Sequence, residues 1–304
     1  MNMEISRYVL QSATTLNSRS NRREHDGFLI RVNGGVGCVH PWPELGDQPI
    51  EDQLAILCQG GATPLLLSAL RCASEDGFAR REGRSLFTDP IPESHWLFLP
   101  GDNPEDAARQ GFREVKMKLG RDLAKETDEA IRWATEGFRL RFDANERLSL
   151  KTFFEFWEGL RHTRDHVAFV EDPSPWSIEN WRVLHEAAVP LAVDRAVAER
   201  WRPGEIAVLK PATSDWIPPD GTRIVVTSSM DHAIGQAWAA LCASRLATAG
   251  RHRMLSCGLL THRCFSGDPF FERLASTGPQ LLPPVGTGLG FDDLLDGLTW
   301  TPLL

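Results

Sequence analysis

Between about residue 94 and residue 260, short apolar runs recur with turn signals between them: WLFLPG (96–101), EVKMKLG (114–120), RLRFDAN (139–145), HVAFVEDP (166–173), PLAVDRA (190–196), IAVLKPA (206–212), RIVVTSSM (223–230) and MLSCGLL (254–260). Each has the length of a buried strand. Several intervening segments, such as DLAKETDEAIRWATEGF, LKTFFEFWEGLRH and AIGQAWAALCASRL, carry apolar residues at the three-to-four spacing of an amphipathic helix. Strands alternating with helices predict parallel βαβ units, and a series of eight predicts a closed barrel. The span falls short of the ~250 residues usual for such a barrel, so some connecting helices are expected to be short or missing. The connection ATSDWIPPDGT, with two prolines and a glycine, cannot hold a full helix.

The chain before this series has another texture. LIRVNGGVGCVH reads as a hairpin, followed by a Pro-rich stretch and by helical QLAILCQG and LLLSALRCAS. Residues 1–92 are therefore read as an α+β domain, residues 93–276 as the barrel, and residues 277–304 as a Gly- and Pro-rich tail that cannot complete a barrel by itself. Within the tail, VGTGLG (285–290) follows two prolines instead of a strand, which argues against a nucleotide loop.

Composition narrows the chemistry. The 304 residues are 42% hydrophobic and 24% charged, with a formal net charge of −8. That balance suits a globular protein and argues against a nucleic-acid partner. The N-terminal stretch lacks the apolar core of a signal peptide, and no apolar run has the length of a membrane span, so a cytoplasmic protein without a membrane partner is expected. Six scattered cysteines without a CxxC pair fit reduced thiols. Cys257, His262 and Cys264 lack a second matching pair, so zinc is not expected.

Charge placement then points to a site. In EVKMKLG, Lys116 and Lys118 share one face of a strand, and Val115, Met117 and Leu119 share the other. On an edge strand this would be a solvated face; inside a closed site the lysines would need anionic partners. Such partners close the following runs: Asp143, Glu171 and Asp194, with Lys210 after the next. Successive charges from Lys118 to Asp194 stand about one βα unit apart, and the shorter step to Lys210 implies a truncated helix. A barrel keeps its active site at the C-terminal ends of its strands. Three carboxylates gathered there repel one another and call for a cation, and an all-oxygen set favours a hard ion such as Mg²⁺. In 139–145, Arg139, Arg141, Asp143 and Asn145 share the lumen face by parity, where an arginine suits a substrate carboxylate.

The Lys-x-Lys of VKMKLG, the Asp-x-Asn of FDAN, the Glu-Asp-Pro of FVEDP, the Asp of LAVD and the Lys of VLKPA, in that order, resemble the enolase superfamily in its muconate-lactonizing branch. Within that branch, the short barrel, Arg141 before Asp143 and the TSSM segment resemble the o-succinylbenzoate synthase family. The resemblance implies a modified (β/α)7β barrel with an α+β capping domain built from the N-terminal portion and the tail. It implies a lyase of menaquinone biosynthesis that dehydrates 2-succinyl-6-hydroxy-2,4-cyclohexadiene-1-carboxylate to 2-succinylbenzoate through an enediolate. It also implies Mg²⁺ (Mn²⁺ as an alternative) on Asp143, Glu171 and Asp194, with Lys118 as base, Lys210 across the ring and Lys116 as an electrostatic neighbour. Arg141, Asn145, Ser228 and Ser229 are the candidate contacts to a small-molecule carboxylate substrate. A dipeptide epimerase, N-acylamino acid racemase or cycloisomerase would use the same lysine pair and stays open as an alternative. One departure is the capping loop GCVHPWP (37–43), where relatives often read Gly-Glu-x-x-Pro-Leu-Pro; Cys38, His40 and Trp42 change the pocket lining there.

Overall fold

The computed structural model describes residues 3–16 and 19–303. Its first layer is an antiparallel sheet of β1 (Met3–Ser12), β2 (Glu24–Val32) and β3 (Gly35–Val39). The hairpin between β2 and β3 turns at Asn33 and Gly34, both at positive φ, 50° and 85°. That backbone matches the twist of a two-residue hairpin, and Asn-Gly adopts it at little cost. Helices α1 (Ile50–Cys58) and α2 (Pro64–Arg81) follow. The second packs so closely on β3 that a Cβ at Gly35 or Gly37 would lie 2.0 Å from the carbonyl oxygens of Ala73 or Ala69. Phe28, Ile30, Val39, Leu54, Leu65 and Leu66 fill the space between sheet and helices.

The strand β1 does not stand out in the sequence, yet it is the hub of this sheet. It pairs with β2 along its length, from Met3↔Val32 to Gln11↔Glu24. Its other edge takes β12 (Phe265–Ser266) and the terminal pair Thr301–Pro302. The glycine-rich loop 285–290 also returns to this region, where its amides bind the protein's own carboxylates. Leu289 N donates to Asp76 Oδ1 at 2.7 Å, while Val36 N (2.8 Å) and Arg80 Nε (2.6 Å) donate to Oδ2. Asp76 is fully buried, so this one carboxylate ties α2, β3 and the tail together.

The second layer is a parallel sheet of eight strands in sequential order: β4 (Trp96–Leu97), β5 (Glu114–Lys118), β6 (Arg139–Asp143), β7 (Val167–Glu171), β8 (Leu191–Val193), β9 (Ile206–Leu209), β10 (Arg223–Val226) and β11 (Arg253–Met254). Residues 257–258 continue β11 and close the ring. His95 N donates to Cys257 O (2.9 Å), Cys257 N to Glu93 O (2.7 Å), and Thr227 bridges Gly258. The connecting helices are uneven, as the short span requires. Helices α3 (Pro104–Arg109), α4 (Leu123–Thr135), α5 (Leu150–Gly159) and α6 (Ile178–Glu186) link the first five strands. Then α7 (Val197–Arg200) is a single turn, no helix joins β9 to β10 among the described residues, and α8 (Ala233–Ala249) precedes β11. Outward residues such as Val115, Met117, Leu140, Phe142 and Val170 pack beneath these helices, which leaves the inward parity of β5 and β6 to charge, while β7 sends Phe169 inward below Glu171. Among the described residues, no helix is long and apolar enough to cross a membrane.

Candidate active site

Strand register lines the charges up. Lys118 stands beside Asp143, and Asp143 beside Glu171. Each is the last residue of its strand; Asp194 and Lys210 follow the ends of β8 and β9. All but Glu171 line one cavity of about 370 Å³. The solvated-edge reading of the lysine strand is thereby excluded: β5 is an interior strand of a closed ring.

The two neighbouring lysines are in different circumstances. Lys116 Nζ lies 2.7 and 2.9 Å from the Glu171 oxygens and 3.0 Å from Asp143 Oδ2. Burial disfavours its charge, but Asp143, Glu171 and Asp194 together outweigh burial and hold it above the usual lysine range. Lys118 makes no ion pair among the described residues; its Nζ donates to Leu16 O and lies 3.6 Å from Met230 Sδ. Burial pulls Lys118 below the usual range, with Lys116 and Lys210 adding to that effect against Asp143. Lys210 pairs with Asp194, and its pKa is raised because Asp194 and Glu171 outweigh burial.

The lysines do not quench the carboxylates equally. Asp143 is held low because Lys116, Lys118 and Lys210 overcome its burial. Glu171, 1% exposed, is pushed up to about 7 by burial and by Asp143. As the side chains stand, no three acidic, His or Cys groups among the described residues are gathered to hold a metal; Lys116 and Lys210 draw the carboxylates to their own nitrogens. The donor set nonetheless fits a hard divalent ion: it is all carboxylate oxygen, and one cation already lies within 3.0 Å of two of the three groups.

Of the four expected substrate contacts, one is corrected. Arg141 faces the lumen but does not reach the cavity. Its guanidinium turns toward the barrel floor, pairs with Glu114, donates to Ser256 O (2.5 Å) and His95 Nδ1 (3.1 Å), and lies over the Phe169 ring. Glu114 stands one inward position below Lys116 on β5, so the nearest anion lies beneath Arg141. Asn145 lines the cavity at φ 49°, with Nδ2 2.8 Å from Asp143 Oδ1, and thereby orients that carboxylate. Ser228 and Ser229 also line the cavity. Ser228 Oγ bonds Thr261 Oγ1 at 2.6 Å and its N–H is committed to Gly258 O, while Ser229 Oγ has no partner among the described residues. Neither serine caps α8, whose N-cap is His232. The sequence reading missed His95, Thr227, Arg195 and Arg200 on the cavity wall. Trp42, noted in the capping loop, lines the mouth and donates from Nε1 to Ser229 O at 2.7 Å.

Residues 3–79 match the family described as O-succinylbenzoate synthase, N-terminal domain, and residues 102–224 match Enolase C-terminal domain-like. The chain is 33% identical to an o-succinylbenzoate synthase from Bdellovibrio bacteriovorus, over 98% of this chain and 97% of that one. It belongs to the o-succinylbenzoate synthase family. That family lies within the enolase superfamily, and the chain is a lyase-class enzyme. The fold extends to more distant members of the superfamily. A muconate lactonizing enzyme from Pseudomonas fluorescens, complexed with muconolactone, matches with a TM-score of 0.70 at 14% identity, over 98% of this chain and 95% of that chain. A dipeptide epimerase from Cytophaga hutchinsonii, complexed with Mg and the dipeptide D-Ala-L-Val, matches with a TM-score of 0.71 at 17% identity, over 100% of this chain and 99% of that one. At those identities the likeness concerns the fold alone.

Proposed function

We propose that this family member is a Mg²⁺-dependent o-succinylbenzoate synthase that dehydrates 2-succinyl-6-hydroxy-2,4-cyclohexadiene-1-carboxylate to 2-succinylbenzoate. The observation that carries the reading is the asymmetry of the lysines: Lys118 is half-buried without an anionic partner among the described residues, while Lys116 and Lys210 are held charged by carboxylates. A base must be neutral before it acts, and only at Lys118 does burial outweigh the neighbouring carboxylates. Asp143, Glu171 and Asp194 would hold Mg²⁺. When bound, the metal supplies Lewis-acid stabilisation of the charge that develops on the substrate carboxylate.

The remaining steps belong to the chain's own groups. Lys118 takes the proton α to the carboxylate. Lys210, kept as an ammonium by Asp194, adds electrostatic stabilisation of the developing enediolate. Lys118, now an ammonium, returns its proton to the β-hydroxyl as that group leaves, and loss of water makes the ring aromatic. Asn145 holds Asp143 in place, and Trp42 with Leu16 shields the mouth from water. The cap is assigned to residues 1–92 and 277–304, the catalytic barrel to 93–276, and the enzyme to the cytoplasm.

The test is the appearance of 2-succinylbenzoate absorbance from the cyclohexadiene substrate. Turnover is expected with Mg²⁺ or Mn²⁺ and abolished by a chelator. Dipeptide or N-acylamino acid epimerization at a higher kcat/KM than the dehydration would replace this reading with the sister activity.

A further inference from the structure

His95 is used by no step above. It precedes the two-residue strand β4, and strand alternation sends it with Leu97 into the lumen while Ser94 and Trp96 face out. It lines the cavity, and 5% of the residue is exposed. Its Nδ1 lies 3.1 Å from Arg141 Nη1. A guanidinium has only donors, so Nδ1 must be the acceptor and the single proton of the neutral ring sits on Nε2. Burial, then Arg141 and Lys116, hold the ring well below the usual histidine range, so it stays neutral. Among the described residues no protein acceptor meets Nε2, and Nε2 is not among the sealed polar atoms without a partner. The donor therefore faces the cavity.

The surroundings keep that donor aimed. Arg141 is itself fixed by Glu114 and Ser256 O beneath it. Gly258 leaves room on the other side: a Cβ there would lie 3.1 Å from His95 Cε1 and 2.6 Å from Thr227 Oγ1. This wall, with Thr227, Ser228 and Thr261, is formed by β4, β10 and the continuation of β11. The metal-type carboxylates belong to β6, β7 and the end of β8, farther round the ring.

We infer that His95 contacts the substrate: its Nε2–H donates to an oxygen of the four-carbon oxo-acid side chain, and Arg141 is the positioning residue that fixes the tautomer. The inference rests on the dehydratase reading, which places the ring carboxylate on the metal side and so sends the side chain to this wall.

Two substitutions separate contact from support. In His95→Asn the amide oxygen falls near the Nδ1 position and still accepts from Arg141, but no donor reaches the Nε2 position. In His95→Gln the amide NH₂ falls near Nε2, and the acceptor for Arg141 is lost. The expected result for His95→Asn is a wild-type melting temperature with a KM and a 2-succinylbenzoate Kd raised on the order of tenfold to a hundredfold, at a kcat less affected. His95→Gln is expected to bind within a few fold of wild type and to melt lower. Wild-type binding by His95→Asn overturns the inference and leaves His95 a support for Arg141. A wild-type enzyme that neither dehydrates the cyclohexadiene nor binds 2-succinylbenzoate removes the dehydratase reading and this inference with it. Should neither variant fold, a wild-type crystal structure with 2-succinylbenzoate decides: Nε2 within about 3.2 Å of a side-chain oxygen supports the contact, and Nε2 facing only water or protein refutes it.

Discussion

Replacing Lys116 with methionine removes one ammonium from between two buried carboxylates and leaves the stem volume nearly unchanged. In the intact protein Nζ lies 3.0 Å from Asp143 and 2.7 Å from Glu171, which are 6% and 1% exposed. At an effective dielectric of about 20, each attraction at 3 Å is on the order of 5 kcal/mol, and desolvation of the three ions takes back much of that sum. What remains is the cost of stranding buried charge, about 3–5 kcal/mol when one partner of a buried pair is deleted. That is a large fraction of the ~5–15 kcal/mol that holds a domain folded. Lys116→Met is therefore expected to lose about 3–5 kcal/mol in urea unfolding followed by tryptophan fluorescence in a chelating buffer. A divalent ion bound to the folded state alone stabilises by about 2.7 kcal/mol at a hundred times its Kd. Mg²⁺ should raise the variant's stability by more than that of wild type, because the variant's carboxylates have lost their cation. Equal stability of the two proteins in chelator, or no effect of Mg²⁺ on either, would refute the reasoning that these acids form a cation site.

Asp231 is buried, has one carboxylate oxygen without a partner among the described residues, and is pushed up to about 7 by burial. Its folded pKa exceeds the unfolded ~3.9, so the folded state keeps the extra proton and loses stability as pH rises from about 4 to about 7. Asp231→Asn should accordingly gain on wild type by a few kcal/mol between pH 4 and pH 7.5; a stability difference independent of pH contradicts this. Asp76→Asn weakens the junction of α2, β3 and the tail and should cost about 2–4 kcal/mol, read by denaturant midpoint; a change under 0.5 kcal/mol would show that the tail is anchored elsewhere. Trp42→Phe keeps the ring bulk but deletes the bond to Ser229 O, worth about 1 kcal/mol, so KM should rise roughly fivefold with kcat little changed; an unaltered KM removes Trp42 from the account.

How far the sequence led depends on the kind of signal. Strand ends were legible because a strand-length run that ends on a charge is a two-part pattern, and five such ends, at Lys118, Asp143, Glu171, Asp194 and Lys210, recurred in series. The uneven helices were legible too, from the prolines of ATSDWIPPDGT and the short step between Asp194 and Lys210. The position of Arg141 was only half legible: alternation gives the face of the strand, but not whether a long side chain reaches up to the mouth or down to Glu114. The strand β1 escaped notice because the apolar residues of MEISRYVLQS do not alternate cleanly, and two of its three partners, β12 and Thr301–Pro302, lie far along the chain. His95 escaped for a related reason. It sits before a two-residue strand, and its tautomer is set by a residue on β6, so only the closed ring brings the two together.

The central claim is that Lys118 alone moves the proton while Lys210 only lends charge. The direct measurement is the initial rate of 2-succinylbenzoate formation by Mg²⁺-loaded wild type, Lys118→Arg and Lys210→Arg, at saturating cyclohexadiene substrate across pH 6 to 9. A guanidinium keeps its proton at these pH values but keeps its charge as well. The account predicts that Lys118→Arg loses turnover by several orders of magnitude at every pH, while Lys210→Arg retains a measurable fraction. An active Lys118→Arg beside a dead Lys210→Arg would contradict it and transfer the base to the other lysine.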